Sequence, residues 1–311
     1  MTDVVCGAGP LGTAVAFDLH RLGRSVRVVS RTGRASVPDE VEVVTADLSD
    51  SVQSSRVFAG AATVYHCVSP PYAQWATLVE PLMRGIIDGA VAAGADVVYG
   101  DNMYCYGPVD GPLTEGLPYR PNGRGATARA AAAEQLLRAD RDGRLRATIA
   151  RASDFYGPRV RQSIVGARVF RAVLAGRAAP VVPGLDAPHS YTYIHDFAAA
   201  LVTLGTRAEI ASGQVWHVPS AEAMPTREFL ALAYQQTGHP PRFRSLPKPV
   251  ISIGGYFSGS LRALGERLYQ TERPFVVDHT KYQEAFSAAP TPMKQAIAQT
   301  LAWYRQNSTR S

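Results

Sequence analysis

The sequence predicts an α/β fold, a doubly wound parallel sheet with a smaller C-terminal lobe. Three observations carry that expectation. The chain opens on a short apolar run, Asp3-Val4-Val5-Cys6, which leads through Gly7-x-Gly9-x-x-Gly12 into a helical pattern (Thr13, Ala14, Val15, Ala16, Phe17, Leu19). Short apolar strands then alternate with helical stretches as far as residue 150, the rhythm of a parallel sheet covered by helices on both faces. From about residue 155 the rhythm loosens. In this order Gly7 allows a tight turn, Gly9 lets the backbone approach a pyrophosphate, and Gly12 lets the helix lie close to the strand, as in a Rossmann-type dinucleotide site. Pro10 and Leu11 open the helix, whose N-terminus turns free N–H groups and the positive end of its dipole towards phosphates.

Composition narrows the function. The 311 residues are 46% hydrophobic and 19% charged, enough for one large domain or one domain plus a lobe. Residues 1–155 are expected to form the NAD(P)-binding domain. Residues 156–311 would form mainly the substrate-binding lobe, with segments at about 190–218 returning to the sheet. No run approaches the roughly 18 apolar residues of a membrane span. A first strand at residue 3 leaves no room for a signal peptide. Cys6, Cys67 and Cys105 lack the paired spacing of a disulfide framework or a zinc site, so no metal is expected. These features predict a reduced, cytoplasmic protein with no membrane partner. The net charge of +6 comes from scattered basic residues, not the clustered patch that a nucleic acid requires. Small ligands bearing phosphate account for it. Of the 32 lysines and arginines, only Lys248, Lys281 and Lys294 are lysine.

The elements follow in order. Val26 to Val29 is a second strand ending at Ser30-Arg31-Thr32-Gly33-Arg34. An NAD site places an acidic residue near this point to grip the ribose hydroxyls. Here the next acids are Asp39 and Glu40, and Ser30, Arg31 and Arg34 suit a 2′-phosphate, which favours NADP while leaving NAD possible. Val41 to Val44 and Val64 to Val68 are strands, followed by Asp47-Leu48 and Ser69-Pro70-Pro71 respectively. Leu78 to Ala93 is a helix with an apolar stripe, closed by Gly94. Asp96 to Gly100 is the fifth strand, Ala126 to Leu137 a helix and Arg146 to Ala150 the sixth strand. Beyond these, Ile164 to Leu174, Phe197 to Leu204, Thr226 to Tyr234 and Pro292 to Arg305 read as helices, with Asp196 capping the second of them. Tyr191 to Ile194 and Gln214 to Val218 read as strands, and Pro240 to Pro249 as an exposed loop; Gly254 to Leu268 is ambiguous.

The chain resembles the extended short-chain dehydrogenase/reductases, the NAD-dependent epimerase/dehydratase family, over nearly its whole length. The matching pieces are Gly7 to Gly12, Asp47-Leu48, Tyr65 to Ser69, Asn102-Met103-Tyr104-Cys105-Tyr106-Gly107, Arg151 to Pro158, Tyr193 to Ala198 and Pro274 to Asp278. By this resemblance Asp47 would bond the adenine amino group, with Leu48 behind it. Cys67, Val68 and Ser69 would run beside the ribose and pyrophosphate. Asp154 stands where the family has a substrate-binding asparagine and His189 where it often has an arginine, so neither keeps the nucleotide-sugar pattern. Relatives often dimerise through two helices of the sheet domain, which the stripe from Leu78 to Ile87 would permit.

The family's catalytic serine or threonine is Asn102 here, and its Tyr-x-x-x-Lys falls on Gly125 and Arg129, or on Ala126 and Ala130 in the neighbouring register. Neither register contains the dyad. If the chain stays extended beyond the fifth strand, Asn102 and Tyr104 point the same way. Asn102 would then stabilise a substrate oxygen, and Tyr104 would be the acid or a pocket wall. Arg129 or Arg124 would favour the phenolate; Arg129 would also meet the cofactor and Arg124 the substrate. Three functions fit. The first is an NADP(H)-dependent oxidoreductase acting on a small or medium polar metabolite. The second is an epimerase- or dehydratase-type isomerase or lyase with tightly bound NAD(P). The third is a non-catalytic NAD(P)-binding sensor or scaffold.

Overall fold

In a computed structural model that describes residues 2–245 and 247–307, the chain enters the sheet at β1 (Thr2–Cys6). It turns into α1 (Pro10–Arg21) and returns as β2 (Ser25–Ser30) and β3 (Glu42–Thr45). The alternation continues through α2 (Ser51–Phe58), β4 (Ala61–His66), α3 (Trp75–Ala93), β5 (Asp96–Asn102), α4 (Arg124–Arg141) and β6 (Ala147–Ala152). The second half runs through β7 (Asp154–Tyr156), α5 (Ala167–Leu174), β8 (Ala179–Val181), β9 (Pro188–His189) and β10 (Tyr191–Tyr193). Then come α6 (Ile194–Thr206), α7 (Ala208–Ala211), β11 (Gln214–His217), β12 (Met224–Pro225), α8 (Thr226–Gln235) and β13 (Phe243–Ser245). The chain finishes through α9 (Lys248–Phe257), α10 (Gly259–Gly265), α11 (Tyr269–Glu272), α12 (Thr280–Phe286) and α13 (Met293–Gln306).

Seven parallel strands form one sheet in the order β11-β6-β5-β4-β1-β2-β3. Chain order reverses between β1 and β4, and a crevice at such a switch is where these sheets take ligands. The central strands are mostly apolar because both faces are covered. Val5, Val28, Tyr65 and Val98 point to the face packed by α1 and α6, while Val4, Val29, Val64 and Val97 point to the face packed by α2, α3 and α4. That alternation is the two-residue period of a strand. The rest of the second half forms three small two-stranded sheets and their helices.

Several elements differ from the sequence expectation. Pro240 to Pro249 is no simple loop: β13 pairs with β8 there, and α9 starts at Lys248 with a proline in its first turn, a position where the missing N–H costs nothing. The ambiguous stretch is helical, broken at Ser258, whose side chain caps α10 by accepting from Leu261 N–H. Asp196 does not cap α6; it lies in the first turn and accepts from the N–H and hydroxyl of Thr291 (2.9 and 2.6 Å). The stripe of α3 is taken up inside the chain: Val79, Leu82, Met83, Ile86 and Ile87 are buried, which leaves Leu78 partly exposed. Among the described residues, no helix is long and apolar enough to cross a membrane.

Candidate active site

The glycine turn sits at the carboxyl end of β1. Gly7 has φ +103° and donates to the Val29 carbonyl (2.8 Å). A Cβ on Gly7 would lie 3.0 Å from Cγ2 of Val68, and one on Gly12 would lie 1.9 Å from the Gly7 carbonyl oxygen. Any side chain at either position is therefore excluded. Gly9 is different: no protein atom lies within 4 Å of where its Cβ would be. It is also the N-cap of α1, with no side-chain cap, and Pro10 opens the helix. The first turn therefore presents its N–H groups to open space beside Gly9.

The neighbouring loops gather around this turn. Cys67 N–H donates to the Cys6 carbonyl (3.0 Å), and Val68 N–H reaches Nδ1 of His66 (3.3 Å). Beyond β2, Ser30 is buried and its hydroxyl meets that of Thr32, whereas Arg31 and Arg34 are exposed. Leu48 is buried, and the Asp47 carboxylate accepts from the hydroxyl and N–H of Ser49 (2.7 and 3.0 Å). Those bonds, helped by the charge of Arg31, hold the Asp47 carboxyl below the usual carboxylate range.

Beyond β5 the chain does not stay extended. Met103 turns helical, and Tyr104 to Tyr106 form one 3-10 turn. The Asn102 side-chain oxygen accepts from Tyr104 N–H (3.0 Å), a bond that leaves the amide N–H₂ group of Asn102 uninvolved. Tyr104 packs on Trp75, with ring centroids 5.6 Å apart. Its phenol bonds Arg267, and the Arg129 charge adds a smaller pull towards the phenolate, as expected of one of the two α4 arginines. Burial and then the Asp154 charge push the phenol up to about 12, against the pull of Arg267.

Arg129 is committed elsewhere. Nε and Nη2 both donate to one oxygen of Asp101 (3.0 and 2.8 Å), and Nη1 lies 3.4 Å from the Ser69 hydroxyl. The guanidinium stacks over Trp75, 4.7 Å from its centroid. The other Asp101 oxygen accepts from Arg151 (3.2 Å), whose fork continues to the phenols of Tyr106 and Tyr119. Burial alone would raise the Asp101 carboxyl, but the two guanidiniums outweigh it and hold it below its usual value. Arg124 is exposed at the first position of α4.

The space beside Gly125 is filled from another loop. A Cβ there would lie 3.5 Å from Trp75 and 3.6 Å from Cζ of Tyr72. The Tyr72 hydroxyl donates to the Glu266 carboxylate (3.2 Å), and Arg267 lies 4.3 Å over the Tyr72 ring. Asn122 donates to the Glu266 carbonyl (2.8 Å), so the segment between α10 and α11 is seated on the sheet domain. Tyr72, Glu266 and Arg267 went unread in the sequence. Tyr72 had a signal, since it follows the loop beyond β4 and such loops face the ligand.

Asp154 and His189 meet each other: Nε2 of His189 is 3.2 Å from an Asp154 oxygen. His189 belongs to β9, not to a surface loop, and is 1% exposed behind Asp154. His66 is buried against Tyr99 (4.6 Å), and burial with the Arg129 charge pushes its imidazole down to about 3.

The chain is similar to the 3β-hydroxysteroid dehydrogenase/decarboxylase isoform 2 of Arabidopsis thaliana, with 22% identity over 84% of this chain and 51% of that protein. It is similar to the dTDP-glucose 4,6-dehydratase of Streptomyces griseus, with 22% identity over 74% of this chain and 63% of that one. It thus spans between half and two thirds of these relatives. The crystal structure of UDP-glucose 4-epimerase with UDP-glucose from Thermotoga maritima superposes with a TM-score of 0.82. It covers 99% of this chain and 100% of that one at 17% identity, a likeness of fold. The model of the NAD dependent epimerase/dehydratase family matches residues 4–218, and the chain belongs to that family.

Proposed function

We propose that this chain is an NADP(H)-dependent oxidoreductase acting on a small or medium polar metabolite. The observation that carries the reading is the cradle at Gly9: a tight turn, an uncapped helix N-terminus and open space for a pyrophosphate. Gly7, Gly9, Pro10, Leu11 and Gly12, with Cys67, Val68 and Ser69, would hold the central part of the cofactor. Asp47 and Leu48 would meet its adenine, and the exposed Arg31 and Arg34 beside Ser30 would take a 2′-phosphate. Arg129 contributes by fixing Ser69 from behind. When bound, the nicotinamide would supply or accept a hydride at the substrate carbon.

The protein's own groups handle the oxygen. Asn102 donates its amide N–H to the substrate oxygen, where charge grows as the carbonyl is reduced. Tyr104 gives up its proton to the same oxygen, and Arg267 stabilises the phenolate left behind. Asp154, whose charge reaches Tyr104, would contact the substrate.

The epimerase and dehydratase names of the relatives favour a second reading, an isomerase or lyase that keeps its cofactor through each turnover. One titration separates the two. NADPH and NADH are added to the purified protein while nicotinamide fluorescence is followed, and small molecules released on denaturation are identified. Free exchange with preference for NADPH supports the oxidoreductase and the role of Arg31. Cofactor released only on denaturation moves the reading to the isomerase or lyase. Binding of neither nucleotide refutes both.

A further inference from the structure

Half of the large apolar side chains left exposed among the described residues fall on one ten-residue helix, α9. Val250 is 47% exposed, Ile253 62%, Tyr256 81% and Phe257 89%. Single exposed apolar residues are ordinary, whereas a cluster marks a surface that meets a partner. Positions 250, 253, 256 and 257 fall on one side of a helix. The other side is spent on α10: Ile251 is buried, a Cβ on Gly254 would run into Leu261, and one on Gly265 would stand 3.9 Å from Ile251. α10 leads directly to Glu266, which Tyr72 and Asn122 hold. The bare face therefore belongs to the segment seated beside the candidate site.

The charge around this face has one sign. From Phe229 to Gly265 the sequence contains no aspartate or glutamate, but it contains Arg242, Arg244, Lys248 and Arg262. β13, just ahead of α9, pairs with β8. The Tyr234 hydroxyl reaches the carbonyls of both Arg177 and Arg242 (2.5 and 2.9 Å), so a further arginine stands beside these. Nearby, Glu272 is taken by Lys248 and Asp186 by Arg227 (2.8 Å each). Arg177, Arg242 and Arg244 are exposed and enter no ion pair among the described residues.

We propose that α9 docks on an anionic lipid surface. The helix lies in the plane of the headgroups, with Ile253, Tyr256 and Phe257 inserted and Arg177, Arg242 and Arg244 facing lipid phosphates and carboxylates. Two physical points select this occupant. A second copy brought in by a two-fold axis would set the same arginines against one another. A folded protein would have to supply a groove for two aromatic side chains that stand almost clear of the surface. The interfacial layer of a bilayer accepts them without one, and keeps the tyrosine hydroxyl at the water. The expectation of no membrane partner rested on the missing span, and a helix lying in the surface needs none. The proposal does not depend on the reaction assigned to the site.

The test is sedimentation of the full chain with large vesicles, made either of phosphatidylcholine alone or of phosphatidylcholine mixed with phosphatidylserine. The chain is expected to bind the mixed vesicles roughly tenfold or more tightly, because each cation near such a surface contributes a factor of about five. That preference should shrink as salt rises from about 0.1 M to about 1 M. Tyr256→Ser combined with Phe257→Ser, and separately Arg242→Glu combined with Arg244→Glu, should each weaken binding to the mixed vesicles by roughly tenfold or more. All four side chains are exposed, so the melting temperature and the NADPH titration should match those of the unmodified chain. Equal binding to both vesicles, or unchanged binding in either paired variant, overturns the proposal. A chain that ignores vesicles overturns it too. If that chain sediments as a dimer which the Tyr256 and Phe257 pair of changes separates, the occupant is a second copy; if it binds soluble polyglutamate, the occupant is an acidic protein.

Discussion

Alanine at Gly9 and at Gly12 should separate the cradle from the fold. At Gly12 the new Cβ would stand 1.9 Å from the Gly7 carbonyl oxygen, where ordinary contact begins near 3.4 Å. Helix α1 and the turn must therefore part by about 1.5 Å. A hydrogen bond of about 2.9 Å does not survive that displacement, and bonds to a charged group are worth about 1.5–3 kcal/mol each. Losing two raises the Kd for NADPH by roughly a hundredfold or more. The same crowding costs about 1–3 kcal/mol of stability, so the melting temperature falls as well. Gly9→Ala is the opposite case. Its backbone is already extended at φ −76° and nothing beyond its chain neighbours is near, so the loss of stability should be only the N-cap preference for glycine over alanine, about 1 kcal/mol. If a pyrophosphate occupies that space, binding still weakens at least tenfold. Calorimetric melting and fluorescence titration of both variants check the pair. A Gly9→Ala protein that melts normally and binds NADPH unchanged would refute the placement of the cofactor.

Three further outcomes are expected. Asp101→Asn leaves Arg129 and Arg151 without their carboxylate in a site where all three side chains are 4% exposed or less. It should cost about 3–5 kcal/mol in denaturant unfolding, and a loss under 1 kcal/mol would contradict the network. Tyr104→Phe and Arg267→Met should each lower turnover at least tenfold while NADPH affinity stays within twofold; an unchanged rate in the first removes Tyr104 as the acid. Stability should rise with pH between about 4 and 6.5. Burial, then the Arg129 charge, pushes His66 down to about 3, and burial pushes His217 down to about 4. The unfolded chain, whose histidines titrate near 6.5, binds more protons in that window, so stability is full above it and drains away as the pH falls. Denaturant midpoints at pH 7.5 and 5 measure this, and a higher midpoint at pH 5 would contradict it.

What the sequence disclosed follows from the range of each interaction. The central strands and the glycine turn were legible because their causes are local: period-two burial in Val4 and Val5 or Val28 and Val29, and three glycines at fixed spacing. α2 was missed although Asp50 caps it by accepting from Val52 and Gln53 N–H, because eight residues carry too short an apolar pattern to read. The extended geometry expected at Asn102 and Tyr104 failed because a side-chain bond from Asn102 to the backbone competes with the strand. Arg267 had no local signal at all. Its place over Tyr72 depends on Glu266 being gripped by Tyr72 and Asn122, residues more than 140 positions away. Likewise Asp154 and His189 were read separately, and only the packing of β9 behind β7 and β10 brings them together.

The fate of Arg129 explains why the chemistry would shift towards the lobe. A guanidinium offers a fork, and here two of its nitrogens are bound to Asp101 while the third holds Ser69. It stays charged at any working pH and cannot relay a proton. With Gly125 packed under Trp75 and Tyr72, α4 offers neither a phenol nor a mobile proton, and its cation has become part of the scaffold beneath the loop after β4. The charged groups that address Tyr104 most strongly, Asp154 and Arg267, both come from the second half of the chain. In the proposed reading the acid is therefore complete only when the segment bearing Glu266 and Arg267 is seated on Tyr72 and Asn122. Seating that segment and preparing the proton donor are then one event, which ties substrate enclosure to the protonation state of the phenol.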